Sequence, residues 1–499
     1  MITEAYPTLV LYFLLAVGLP LAALRPKWGY LFGIVFALGT NSQMLTMTRF
    51  PALGPYFNAS DACGLVAIGA VVSNSMRRRS RISFPKMVIA LVTILLVGFA
   101  VGVQRLGYHY EILRSLRWAL TLPLFFWASA NLVRDEVGLK HFLLTLWIIG
   151  ASAAAQQVLF ARVQMEKFSG QGLGIGVLRT ISYSLVGVLL LMAALIWFPK
   201  TSRPTRLALL ALAPVIVLGG VLNQSRSVYI ATTGALLVGL WWFRGHAALL
   251  RATGIVIVAA GSFWGASLLA SRFTPGVAPA SIIDQRMDEL AHPPQDADDV
   301  TTRWRDIDYE FAAWSSGNPI VGEGLCYYMN QLAAEGTQFV SWGHIGPVTT
   351  LAQLGLLGFS LYYLILPWAM VRRTSWLWHS PDQWQRYLAV FAGYSLVWFV
   401  GSTFMSGNML DQNPLFGIIV GALWGQSTRL DVRHRRSRRI SPSKAPVPRP
   451  AAGPSPLVAW PRGDRGSHPV ARAKALGRRV STGAMRPACL TSLLGAIHK

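Results

Sequence analysis

Apolar runs of spanning length, separated by short polar segments, repeat along most of this chain. They lie near 7–24, 28–44, 62–76, 87–103, 117–133, 141–160, 180–198, 206–223, 227–243, 252–271, 346–370, 386–402 and 413–428. A helix crossing a bilayer needs roughly 17–25 mostly apolar residues. The pattern predicts an all-α polytopic membrane protein: a transmembrane body over 1–429 with twelve or thirteen helices, the third segment being short for a span. No cleavage pattern and no basic stretch accompanies the first segment, so it is expected to be the first span.

One long polar insert, 272–345, interrupts the repeat. A long loop between spans is as a rule functional or disordered. This one has its own helical period. Over 301–316, Trp304, Ile307, Phe311 and Trp314 fall within about 80° of one another at the helical repeat. Arg303 and Glu310 border that stripe, and Gly317-Asn318-Pro319 ends the helix. The expectation is a partly helical loop lying on the membrane surface, apolar side down, with Arg303 at its rim.

Composition agrees. The chain has 499 residues, 53% hydrophobic and 13% charged, against about 25% charged in soluble domains. The net charge of +24 is uneven: from Arg429 onward, thirteen Arg and three Lys stand against two Asp, a net +14. Residues 430–499 are rich in Arg, Pro, Ser, Gly and Ala without apolar periodicity, so a disordered tail is expected. Contact with an anionic cytoplasmic leaflet suits such a tail better than nucleic-acid binding does. Cys63, Cys326 and Cys489 are far apart and form no framework.

Lys and Arg in short loops mark the cytoplasmic side. Arg25 and Lys27, then Arg77 to Lys86, Arg134 and Lys140, Lys200 to Arg206, Arg244 and Arg251, and Arg372 to Arg386 alternate along the chain. That places the C-terminus in the cytoplasm and the 272–345 insert outside. Several cations then face outward against the bias: Arg105, Arg114, Arg117, Arg162, Lys167, Arg179 and Arg226. Either they pair with acids such as Glu111 or Glu166, or with lipid headgroups, or as a set they serve a phosphate, which guanidinium binds bidentately.

Four clusters carry candidate chemistry. Asn223-Gln224-Ser225-Arg226-Ser227 forms a tight external turn before an apolar run; a serine can cap the helix, whose N-terminus favours an anion beside Arg226. Arg303-Trp304 lies in the amphipathic stretch. Gly322-Glu323-Gly324 permits close backbone approach. His344 precedes Pro347, a first-turn proline; a helix N-terminus favours neutral imidazole, able to take a proton from a hydroxyl. Asp296-Ala-Asp298 and Asp306-Ile-Asp308 read as solvated charges, so no metal site and no cofactor are expected. No Walker A, GxGxxG, HExxH or GxSxG pattern stands in a suitable context, which argues against a nucleotide-driven pump and a serine hydrolase.

The order of these pieces resembles the bacterial O-antigen ligase and O-antigen polymerase superfamily. The resembling block covers 207–358: paired spans joined by Gln224-Ser225-Arg226-Ser227, Arg303-Trp304, then Asn318-Pro319-Ile320-Val321-Gly322-Glu323-Gly324 like the family's "hPxxGxG" element. His344 and the Leu/Gly-rich run Leu351 to Gly358 complete it. Two positions depart: Ile345 stands where the family often has Asn, and Gln353 where it often has Glu. The resemblance implies a metal-independent, periplasm-facing glycosyltransferase of the bacterial inner membrane. Its donor would be a glycan on polyprenyl pyrophosphate, and its acceptor the hydroxyl of a glycan or lipid core. Such enzymes act in lipopolysaccharide or exopolysaccharide assembly, and ligase and polymerase both remain open. His344, Arg226 and Arg303 would be catalytic. Arg105, Arg114, Arg117, Arg179, Gln224, Ser225, Trp304, Gly322 and Gly324 would bind pyrophosphate or glycan. Membrane lipids are the other expected partners, and no nucleic acid is. The alternative is a polysaccharide exporter or flippase, which would need a polar pathway between spans.

Overall fold

A computed structural model describes residues 12–39, 59–108, 110–169, 184–221, 226–242, 298–326, 346–405 and 414–440. The tenth apolar segment (252–271), the loop at 327–345 and the tail from Ser441 lie outside the described residues. All regular structure among the described residues is helical: α1 (Leu14–Leu24), α2 (Pro26–Gly39), α3 (Ala59–Arg78), α4 (Lys86–Leu106), α5 (Tyr110–Leu132), α6 (Glu136–Ser169), α7 (Ser184–Ile196), α8 (Arg203–Val221), α9 (Arg226–Trp242), α10 (Asp298–Ser316), α11 (Gly346–Trp378), α12 (Gln383–Met405) and α13 (Pro414–Ile440). Each described apolar segment coincides with one of these, and the marginal third segment is a full 20-residue helix. Five are long and apolar enough to cross a membrane by themselves, within α4, α6, α8, α11 and α12. The chain is a helical membrane protein.

Helix α13 runs on to Ile440, past the boundary read at 429. Its extra turns are Arg-rich, and cations suit a helix C-terminus.

Small residues set the tightest packing. Gly417, Gly421 and Gly425, four residues apart, form a stripe on α13 that lies against the backbone of α5 at Leu122, Phe126 and Ala130. Such stripes let helix backbones close without an intervening side chain, the usual means of helix association in lipid. Buried polar groups are tied internally: Trp147 Nε1 donates to the Tyr387 hydroxyl at 2.8 Å, which donates to the Leu190 carbonyl at 2.8 Å.

Polar contacts sort into two ends. At one, Lys27 pairs with Asp135, and Arg78 lies 3.6 Å from the same carboxylate. Asn131 exchanges two hydrogen bonds with the Ser83 backbone. Gln426 donates to the Val133 carbonyl at 2.9 Å and accepts from Gln385 at 2.8 Å, and Trp197 donates to the Gln383 carbonyl at 3.2 Å. Among the described residues, the basic loops near 25–27, 79–85, 133–135, 197–202 and 380–385 are thus bonded to neighbouring loops or helix ends at this end of the bundle. At the other end meet Asp61, Arg105, Glu111, Arg117 and the loop turn at 318–326.

Candidate functional site

The second end is built around a broken helix. Gly355 interrupts α11 with φ +64° and ψ −167°, a conformation only glycine adopts without strain. A break inside a membrane helix orphans backbone groups, which must find partners in the protein. The turn after α10 supplies them. The Glu323 and Gly324 amides donate to the carbonyls of Ala352 and Gln353 at 2.8 and 3.1 Å. On the far side, the Leu356 and Leu357 amides donate to the carbonyls of Pro319 and Ile320 at 2.9 and 3.1 Å. The Leu325 amide then reaches the Gly98 carbonyl of α4 at 2.9 Å. The Pro-x-x-Gly-x-Gly segment is therefore a backbone plug joining α4 and both halves of α11.

Local chemistry shapes the plug. Asn318 Oδ1 accepts from the Ile320 amide at 3.0 Å, an Asx turn, and its carbonyl accepts from the Gly322 amide at 2.8 Å. Gly322 and Gly324 have φ +76° and +90°. The close approach expected of Gly322 and Gly324 is real. It is made to the protein's own backbone: Gly322 against Ala352 and Gly355, Gly324 against Gly102.

Arginines and acids ring the plug. Glu323, its side chain 12% exposed, pairs with Arg105. Arg114 pairs with Glu111 at 2.6 Å and stacks over Trp118 at 4.8 Å. Arg117 lies 3.3 Å from Asp61. Of the alternatives open for these three cations, pairing with acids is the one seen. Cys326, at φ +63°, bonds to the Ser115 hydroxyl at 2.8 Å and donates to the Glu111 carbonyl at 3.2 Å. Burial pushes its thiol pKa up, against the lowering effect of Ser115.

Helix α10 docks on the start of α11. Tyr309, Ala313 and Trp314 pack on Ala352, and Trp314 Nε1 donates to the Pro319 carbonyl at 3.0 Å. Its orientation differs from the amphipathic expectation. Glu310 is fully buried and accepts from the Thr349 hydroxyl at 2.8 Å, while Phe311 is half exposed. The apolar stripe predicts a helix lying flat on lipid; the docked helix instead turns the stripe's polar border toward α11. A carboxylate there has a hydroxyl waiting, and a bulky Phe is replaced at the contact by Ala313 against Ala352.

Arg226 opens α9 and Arg303 and Trp304 lie in α10; their side chains lie outside the described residues. Position 303 stands two turns before Glu310, on the same stripe of the helix. Arg179, Gln224, Ser225 and His344 also lie outside the described residues. The description resumes at Gly346, with Pro347 in the first turn of α11 as expected. Glu310, Thr349, Glu323 and Gly355 gave little signal by themselves. The clearest hint was an acid set among Ile307, Phe311 and Trp314.

Compared with known protein families and with curated proteins, the sequence matches none.

Proposed function

We propose that this chain is a periplasm-facing, metal-independent glycosyltransferase of the bacterial inner membrane, with twelve or thirteen spans and a cytoplasmic C-terminus, of the O-antigen ligase or polymerase type. One observation supports the reading above the rest: α10 with position 303, the 318–326 turn and the start of α11 pack together at one end of the bundle. Two of the pieces that carry the resemblance, the Arg303 helix and the Pro-x-x-Gly-x-Gly turn, are thus held against the helix that follows His344.

In this reading a glycan on polyprenyl pyrophosphate lies at that end with its lipid tail between helices. An acceptor hydroxyl attacks the anomeric carbon. The bond from that carbon to the pyrophosphate oxygen breaks, and the pyrophosphate leaves with the electron pair. Fixed guanidinium groups stabilise that developing charge best where water is excluded. Arg226 and Arg303 take this role. Arg105, Arg114 and Arg117 already face carboxylates, so they hold the plug and α5 in place and add positive potential. His344 accepts the hydroxyl proton. By the same resemblance, Gln224, Ser225, Trp304 and Arg179 would bind the pyrophosphate or glycan.

The exporter reading draws on the same break, since transporters place substrates at discontinuous helices. Here four backbone bonds from the turn already occupy the groups at the break, which favours transfer. The test is an assay of purified protein with a polyprenyl-pyrophosphate oligosaccharide and an acceptor glycan. Transfer that persists in EDTA and is lost in Arg303→Ala supports the reading. Full activity in Arg303→Ala removes the phosphate clamp.

A further inference from the structure

At the opposite end of the bundle, α2, α5 and α6 enclose a half-open cavity of about 170 Å³. That is below the ~300 Å³ at which small-molecule pockets begin. It has room for a headgroup and little more. Its floor is apolar, with Leu31 and Phe142 buried. Its mouth opens on the outside of the bundle: Trp28 is 49% exposed and Val137 63%. Trp28 faces His141 with ring centroids 5.3 Å apart. A tryptophan at a helix end with one wet edge is typical of the bilayer interface.

The cavity is electropositive. Lys27 lines it. Arg78 stands behind Lys27, and the two cations share the single carboxylate Asp135. An ammonium has three donors, and Asp135 takes one. The loops around the mouth hold Arg25, Lys27, Arg77, Arg78, Arg79, Arg81, Lys86, Arg134 and Lys140 against Asp135 and Glu136, a net +7. Both α2 and α6 begin here, at Pro26 and Glu136, so two helix N-termini add positive potential.

We infer that this cavity holds the headgroup of an anionic phospholipid. The phosphodiester sits on Lys27 with His141 as a second donor, and the acyl chains run down the outer face past Trp28 and Val137. Charge complementarity selects the occupant. A zwitterionic headgroup brings its own ammonium into an already cationic mouth. A free phosphate has no use for the apolar floor. The inference rests on the membrane assignment alone and is independent of glycan transfer.

Native mass spectrometry of the full-length protein in detergent tests it, with phosphatidylglycerol, phosphatidylethanolamine or inorganic phosphate added. Phosphatidylglycerol should be retained in preference. Arg78→Gln, which spares the Lys27–Asp135 pair, should lower retention about fivefold, as loss of ~1 kcal/mol at an anionic surface implies, and His141→Phe, which keeps a ring and deletes the donor, should lower it too. Lys200→Gln, on the loop after α7 and not among the mouth cations, should leave it unchanged. Equal retention of phosphatidylethanolamine, displacement by inorganic phosphate, or an equal loss in Lys200→Gln would overturn the inference. The last would mean a diffuse basic surface with no built site.

Discussion

Gly322 and Gly355 face each other backbone to backbone. A Cβ on Gly322 would stand 2.6 Å from the Gly355 nitrogen, and one on Gly355 would stand 2.5 Å from the Gly322 nitrogen. Both have positive φ, so an added side chain meets strain in the chain and a clash across it. The turn after α10 is locked to the broken helix through this contact. Gly322→Ala and Gly355→Ala are each expected to destabilise the protein by at least about 1–3 kcal/mol. Thermal melting in detergent measures this. Gly234→Ala on α9 is the control, since its Cβ meets nothing within 4 Å among the described residues; an equal fall there would point to general helix effects.

Arg105 and Glu323 form the ion pair that flanks this lock. Removing one member of a half-buried pair leaves the other charge poorly solvated. Arg105→Ala should therefore lower the melting temperature more than the double change Arg105→Ala with Glu323→Gln. A double-mutant cycle measures the coupling. Strict additivity would mean that the pair holds nothing together.

The Glu310–Thr349 bond joins α10 to α11 beside the proposed site. Thr349→Val keeps the shape and deletes the donor, which costs about 1–3 kcal/mol where a buried acceptor loses its hydrogen bond. Glycan transfer should fall in Thr349→Val and recover in Thr349→Ser, with insertion unchanged in both. Equal activity in all three proteins would detach this contact from function.

At the basic end, burial pushes the Asp135 carboxyl up, but the Lys27 hydrogen bond, the Gly138 amide and the charges of Lys27 and Arg78 outweigh it and hold it below the usual carboxylate range. A carboxyl lowered in the folded state binds fewer protons than in the unfolded one. Its contribution is present above the ordinary carboxylate value of about 3.9 and is lost as pH falls through the lower folded-state value. Melting temperature should drop over that acidic window in the wild type. Asp135→Asn should start lower and lose less there. Parallel curves would remove Asp135 as the cause.

The helices were legible because apolar runs of spanning length have few alternatives in a membrane, and each described run became a helix. The plug at Gly355 was not legible. Nothing local distinguishes Gly355 from the other glycines of its helix, and its partner Gly322 lies more than thirty residues away. The facing of α10 was not legible for a related reason. Periodicity weighs Phe311 as buried, whereas the docked face carries Tyr309, Ala313 and Trp314 on Ala352 and a hydrogen-bonded Glu310. Pairing of Arg105 with Glu323 depends on the same distant closure.

Glycan analysis in a deletion strain tests the central claim most directly, with wild-type protein or His344→Ala supplied in trans. The account predicts that wild type restores the surface polysaccharide and His344→Ala does not. Single lipid-linked repeat units would accumulate for a polymerase, or finished polymer would stay on the polyprenyl carrier for a ligase. A glycan profile unchanged by the deletion, or full restoration by His344→Ala, would contradict it.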